Sequence, residues 1–110
     1  MTRKEALAEL IAKVEAGRVH GTLTAQILAD TDMDVELFLD AYEGSLDAAK
    51  ALHEAVLPNY GVGIGMPATK EYCAELFDEN DDSTFAFAEA PARAWLLAIL
   101  HALHSMEAAE

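Results

Sequence analysis

The hydrophobic period of this chain changes at Pro58 and changes back at Pro91, and that double switch limits what it can fold into. Before Pro58, apolar residues recur every three or four positions, the spacing of one face of a helix. Between Tyr60 and Met66 they alternate, with Tyr60, Val62, Ile64 and Met66 separated by Gly61, Gly63 and Gly65. That is the period of a strand. Lys70 to Phe77 and Thr84 to Ala88 read as two more strands, joined by Asp78-Glu79-Asn80-Asp81-Asp82-Ser83, a polar run rich in turn formers. Connections this short join strands antiparallel, so residues 60–66, 70–77 and 84–88 are expected to form a meander. The expected fold class is α+β: N-terminal helices, then a three-stranded antiparallel sheet, then a C-terminal helix, with helices covering the sheet.

Local signals mark the helices. Thr2 with Glu5 makes a capping box, Leu7, Leu10, Ile11 and Val14 follow at helical spacing, and Gly17 supplies a stop. A shorter helix is expected around Leu23, Ile27 and Leu28, before Asp30-Thr31-Asp32. From Asp34, the residues Val35, Phe38, Leu39 and Tyr42 form an apolar stripe that ends at Gly44. Ser45 then caps a fourth helix, with Asp47 in its first turn and Leu46, Ala49, Leu52 and Val56 on its inner face, until Pro58. Pro91 suits the first turn of a last helix, whose Trp95, Leu96, Ile99, Leu100, Leu103 and Met106 make a broad stripe expected to pack on the sheet, with Trp95 and Ile99 at the contact.

At 110 residues the chain is expected to be one α+β domain, residues 1–110, able to form a core without disulfides or metal. Alanine supplies about a fifth of the residues, so the core must draw on a few larger side chains. Those expected are Leu10, Ile11, Phe38, Leu39, Leu52, Val56, Phe85, Phe87, Trp95, Leu96, Ile99 and Leu103.

The stretch Tyr42-Glu43-Gly44-Ser45-Leu46-Asp47-Ala48-Ala49, followed by Pro58-Asn59-Tyr60, resembles small proteins of tailed bacteriophages and prophages. In these, a Y-x-x-S-L-D-A-A helix precedes a P-x-aromatic strand start. Ala90-Pro91-Ala92-Arg93-Ala94-Trp95-Leu96-Leu97-Ala98 is similar to their T-P-A-x-A-L-x-x-A final helix. Together they resemble the phage ABA sandwich domain over residues 42–103, with Ala90 where that pattern has threonine and Tyr60 where it has tryptophan. The resemblance implies a phage origin and a sheet sandwiched by helices, and it brings no catalytic residues.

Twenty acidic against seven basic residues give a formal charge of −13. Such a surface repels nucleic acid and anionic membrane and suits a basic partner. From Val19 to Ala49 there are seven acids and no lysine or arginine, and Glu71 to Pro91 repeats that count. Glu36, Asp40, Glu43 and Asp47 share a helical stripe, and Asp78, Glu79, Asp81 and Asp82 crowd one turn. These eight are the candidate partner-binding residues.

Other chemistries find weaker support. His101 and His104 lie on one face of the last helix and His53 could join them around a metal, but no clear further ligand accompanies them, so no metal or cofactor is expected. Gly61-Val62-Gly63-Ile64-Gly65 is itself a strand rather than a loop opening a helix, which excludes a phosphate cradle. Its glycines are expected to admit a helix or another backbone close to one face, or to mark bulges. Cys73 excludes an internal disulfide, is expected to be a buried inert thiol, and lies among Glu71 and Glu75, which disfavour a thiolate. No apolar stretch is long enough to span a bilayer, and no targeting segment is visible.

The expectation is therefore a non-enzymatic acidic protein of phage type, monomer or homodimer, acting in the host cytoplasm without binding nucleic acid or membrane. Its expected partner is a basic or nucleic-acid-binding host protein. Inhibition of a defence or nucleic-acid-processing complex, of anti-CRISPR or anti-restriction type, would follow from acidic mimicry or steric blocking. A virion structural or assembly accessory protein is the alternative, and a small-molecule binder using the glycine-rich strand and sheet face is the third.

Overall fold

Three of the four N-terminal helices begin at a side chain that satisfies a free backbone donor, and α2 (Thr22–Ala29) begins at Gly21 without one. In the computed structural model, which describes residues 2–66, 71–80 and 82–108, Thr2 opens α1 (Arg3–Ala16) with a full capping box. Its Oγ1 accepts from the Glu5 amide at 3.1 Å, and the Glu5 carboxylate accepts from the Thr2 amide at 3.2 Å. The Thr2 amide first, and then the Thr2 hydroxyl, hydrogen-bond the Glu5 carboxylate and hold it below its ordinary pKa. Gly17, at φ 73°, ends the helix in the left-handed conformation that glycine adopts without steric cost. After α2, Asp34 caps α3 (Val35–Tyr42) by accepting from Leu37 N, and Ser45 caps α4 (Leu46–Val56) by accepting from Ala48 N.

The three strands follow: β1 (Gly61–Gly65), β2 (Tyr72–Phe77) and β3 (Ser83–Ala88), antiparallel in the order β1-β2-β3. The last helix is α5 (Pro91–Ala108). The expected α+β meander is thus present, with the strands trimmed to 61–65 and 72–77 and β3 extended to Ser83; Lys70, the expected start of the second strand, lies outside the described residues.

α5 organises the packing. It lies on β2 and β3 on one side and against α1, α3 and α4 on the other. From Ala92 to Leu100 every residue except Arg93 is buried, as expected for a helix covered all round rather than one with a single apolar stripe. The Arg3–Glu107 ion pair, at 2.8 Å, ties the start of α1 to the end of α5. Trp95 turns the polar edge of its ring to α4: its indole Nε1–H donates to His53 Nδ1 at 3.1 Å, and the two rings meet edge to face. Ile99, one turn further along the same face, is fully buried.

The sheet turns the opposite way from the expected core. Ala74, Leu76, Ala86 and Ala88 point inward and are buried, whereas Phe85 and Phe87 are 55% and 51% exposed on the outer face. The reason is volume. A helix buried against two strands fits closely over alanines, and a one-residue shift of facing exchanges every side chain between the two faces.

The helices hold smaller corrections of the same kind. α3 buries Phe38, Ala41 and Tyr42, leaving Val35 exposed and Leu39 half-buried. α4 buries Ala48, Ala49, Leu52 and His53, leaving Leu46 exposed and Val56 half-buried. Met106, near the end of α5, is exposed too.

Two substitutions separate the two facings of the sheet, and a third tests the docking of α5. Ile99→Ala is expected to cost about 2–5 kcal/mol as a buried large-to-small change. Ala86→Leu is expected to cost about 1–3 kcal/mol through overpacking beneath α5. Phe85→Ser, on the exposed face, should cost less than about 1 kcal/mol. Urea unfolding midpoints measure all three, and a Phe85→Ser cost above that of Ala86→Leu would place the phenylalanines inside.

Candidate interaction surfaces

Glu36 and Asp40 project from α3, Glu43 caps its C-terminus, and Asp47 lies in the first turn of α4; all four are exposed. Spacings of three and four residues set successive charges about 5 Å apart along a helix axis. Gly44, at φ 116°, turns the chain between the helices, so the stripe bends there rather than running straight on. Among the described residues, Glu43 lies 3.5 Å from Nε2 of the exposed His20, and none of the four makes an ion pair with a lysine or arginine. The nearby cation Arg93 is engaged otherwise: its Nε and Nη2 both donate to the Tyr42 carbonyl, at 3.2 and 3.1 Å, with the guanidinium 4.1 Å above the Tyr42 ring.

The β2–β3 turn is built differently. Asp78 is half-buried, and its Oδ1 accepts from the amides of Asn80 and Asp82 at 2.8 and 3.0 Å, while its own amide donates to Asp82 O. It therefore holds the turn in shape. Glu79 and Asp82 are exposed, and Asp81 lies outside the described residues. Asp78 and Asp82 share a crevice with Tyr60 and with Ala102, Ser105 and Met106 of α5. Burial first, then the charges of Asp78 and Asp82, raise the Tyr60 phenol above its ordinary value of 10.0.

The two acidic groups do not make one surface. The α3–α4 acids adjoin the Arg93 end of α5, and the turn adjoins Ser105, about 18 Å further along the helix at 1.5 Å per residue.

A third surface is the outer face of the sheet, which the sequence reading assigned partly to the core. Phe77, Phe85 and Phe87 are all exposed there, with Cys73 and Glu75 between them on β2. Glu75 pairs with Phe85 on one side and Gly63 on the other, and Cys73 with Phe87 and Gly65. The Phe77 ring lies over its cross-strand partner Gly61, filling the space that a Cβ would take. Among the described residues, a Cβ at Gly63 or Gly65 would meet nothing within 4 Å, so the close approach of a helix or backbone expected for this strand is not found at those two positions. They border a shallow open trough of about 480 Å³ shared with Phe85, Met66, Glu75 and Cys73. Cys73 is thus half-buried on this face rather than in the core. At the far side of Phe87, a cleft of about 390 Å³ lies between the end of α1, the end of β3 and the start of α5, with Glu15, Glu71, Glu89 and Arg93 in its lining.

His53 is buried with both ring nitrogens engaged: Nδ1 accepts from Trp95 and Nε2 lies 2.8 Å from the Tyr60 carbonyl. That pairing assigns the proton to Nε2 and leaves no lone pair for a metal. His101 and His104 are half-buried, and no group of three or more metal-ligating side chains occurs among the described residues. Nor, among them, is any helix long and apolar enough to cross a membrane.

Searches for a matching family, a matching curated protein and a matching solved structure each find none.

Tyr60 reports the electrostatics of the turn. Its raised pKa favours the neutral phenol in the folded state, so the stability it contributes is complete below its unfolded value near 10.0 and is lost as pH rises through the folded value. In a Tyr42→Phe/Tyr72→Phe background, ultraviolet titration should show the Tyr60 pKa falling toward 10.0 on adding Asp78→Asn and Asp82→Asn, without reaching it because burial remains. An unchanged titration would mean that these carboxylates do not sense the phenol.

Proposed function

We propose that this chain is a non-enzymatic binding protein of phage or prophage type that engages a basic, nucleic-acid-handling host protein and inhibits it, by occupying its basic groove or blocking access to it. An anti-CRISPR or anti-restriction activity is the form this takes. The observation that carries the reading is the exposed stripe Glu36, Asp40, Glu43 and Asp47, which has no lysine or arginine partner among the described residues, in a chain of formal charge −13.

Physical chemistry links that stripe to its target. A fixed row of like charges raises the local concentration of an oppositely charged surface and speeds encounter. A spacing of about 5 Å between charges is coarse but comparable with that of a phosphate backbone. The α3 scaffold holds the acids in place, because Asp34 caps it and Phe38, Ala41 and Tyr42 anchor its other face. Exposed acids contribute little to folding, so they can be altered without loss of the scaffold.

The test is competition with DNA for purified CRISPR and restriction effectors. One effector is expected to lose DNA binding when the wild-type chain is added. The Glu36→Lys/Asp40→Lys/Glu43→Lys variant should bind that effector at least about tenfold more weakly at low salt, chiefly through slower association, and the gap should narrow as salt screens the charges. Equal affinities of wild type and variant at both low and high salt would remove the stripe from the mechanism and leave its acids as a solubility device.

A further inference from the structure

We propose that the outer face of the sheet is a docking site for an arginine-bearing amphipathic segment of a protein partner, with Phe85 and Phe87 as the stacking platform and Glu75 as the counter-ion. This rests on the reading above that the partner is basic. It assigns the contact to a different face, since α5 separates the sheet from α3 and α4.

The first element is exposed aromatic surface that no part of the described chain covers. Phe85 and Phe87 stand more than half exposed at alternate positions of β3, and Phe77 lies beside them on β2. Large apolar side chains gathered on one face of a small protein mark an interaction site more often than isolated ones do. Next to Phe85, the missing side chains of Gly63 and Gly65 leave open space above β1, so the trough has room for a partner side chain and for close approach of its backbone.

The second element is charge. Glu75 lies at the centre of this face, directly across from Phe85, and its carboxylate makes no ion pair among the described residues. Beyond Phe87, Glu15 and Glu89 line the adjoining cleft, where Arg93 has two donors committed to the Tyr42 carbonyl. An arginine side chain answers all of these features. Its stem packs on apolar surface, its planar guanidinium stacks on an aromatic ring, and its donors reach a neighbouring carboxylate. Phosphate or nucleic acid is repelled by the same field.

Charge also argues against a second copy of the chain as the occupant. Two sheets packed face to face across a two-fold axis would bring Glu75 toward its own counterpart, between molecules that each carry −13.

The experiment uses the full chain, labelled with nitrogen-15, and a synthetic nine-residue peptide of alternating arginine and leucine, with a control in which every arginine is glutamate. The arginine peptide should shift amides of β1, β2 and β3, and the glutamate peptide should bind far more weakly. Phe85→Ser/Phe87→Ser should weaken arginine-peptide binding at least about tenfold, as loss of an anchor pair does, while circular dichroism and the melting curve confirm that the fold persists. Glu75→Gln should weaken it several-fold, and the triple lysine variant on α3 should change it less than about threefold, as expected for screened distant charge. Shifts confined to α3 and α4, or equal affinity in wild type and the double serine variant, would overturn the docking site and leave the basic-partner reading standing. Absence of binding by any form would overturn both. Sedimentation showing a dimer that the double serine variant abolishes, without peptide binding, would assign the face to a second copy and overturn the proposal.

Discussion

The burial of α5 from Ala92 to Leu100, broken only at half-buried Arg93, is the constraint on which the rest of the structure depends. A helix covered by β2 and β3 on one side and by α1, α3 and α4 on the other must meet each neighbour at close range. The sheet answers with Ala74, Ala86 and Ala88 on its inner face. Because side chains alternate along a strand, alanines inside mean phenylalanines outside. The exposed aromatic face is therefore a consequence of how closely the central helix sits on the sheet. The polar links at the margins of α5 fit the same scheme: Arg93 to Tyr42 at one end, Glu107 to Arg3 at the other, and Trp95 to His53 between.

Much of this was legible in the sequence. The capping residues Thr2, Asp34 and Ser45 place three helix starts by local hydrogen bonding alone, and the period change at Pro58 places the sheet. What failed was the facing of elements whose two sides are both apolar. In Thr84-Phe85-Ala86-Phe87-Ala88 either alternate set can be buried, and choosing the larger residues puts the phenylalanines inside. The deciding information is tertiary: Ala92, Ala94, Ala98 and Ala102 make α5 slim enough to be enclosed. A similar ambiguity rotated α4, where buried His53 replaces the expected Leu46 because Trp95 and Tyr60 satisfy both imidazole nitrogens. The acidic stripe was readable because exposure and charge coincide there, whereas the bonds that Asp78 makes inside the turn depend on backbone geometry that the sequence does not display.

These features give the molecule two faces of different character on opposite sides of α5. The α3–α4 side presents charge without large apolar area and suits long-range attraction. The sheet side presents aromatic area with a carboxylate at its centre and suits short-range anchoring. The two faces make different demands of the basic partner proposed above: charge density for the first, and arginines spaced among apolar residues for the second.

The central claim is that Phe85 and Phe87 face solvent while Ala86 and Ala88 lie beneath α5. Nuclear magnetic resonance of the folded chain with a neutral soluble gadolinium chelate measures this directly, because the probe broadens signals in proportion to their access to solvent. The account expects strong broadening of the Phe85 and Phe87 ring protons, with the Ala86 and Ala88 methyls protected to the same degree as Leu96 and Ile99. Protected rings beside broadened alanine methyls would contradict it, and would reverse the sheet.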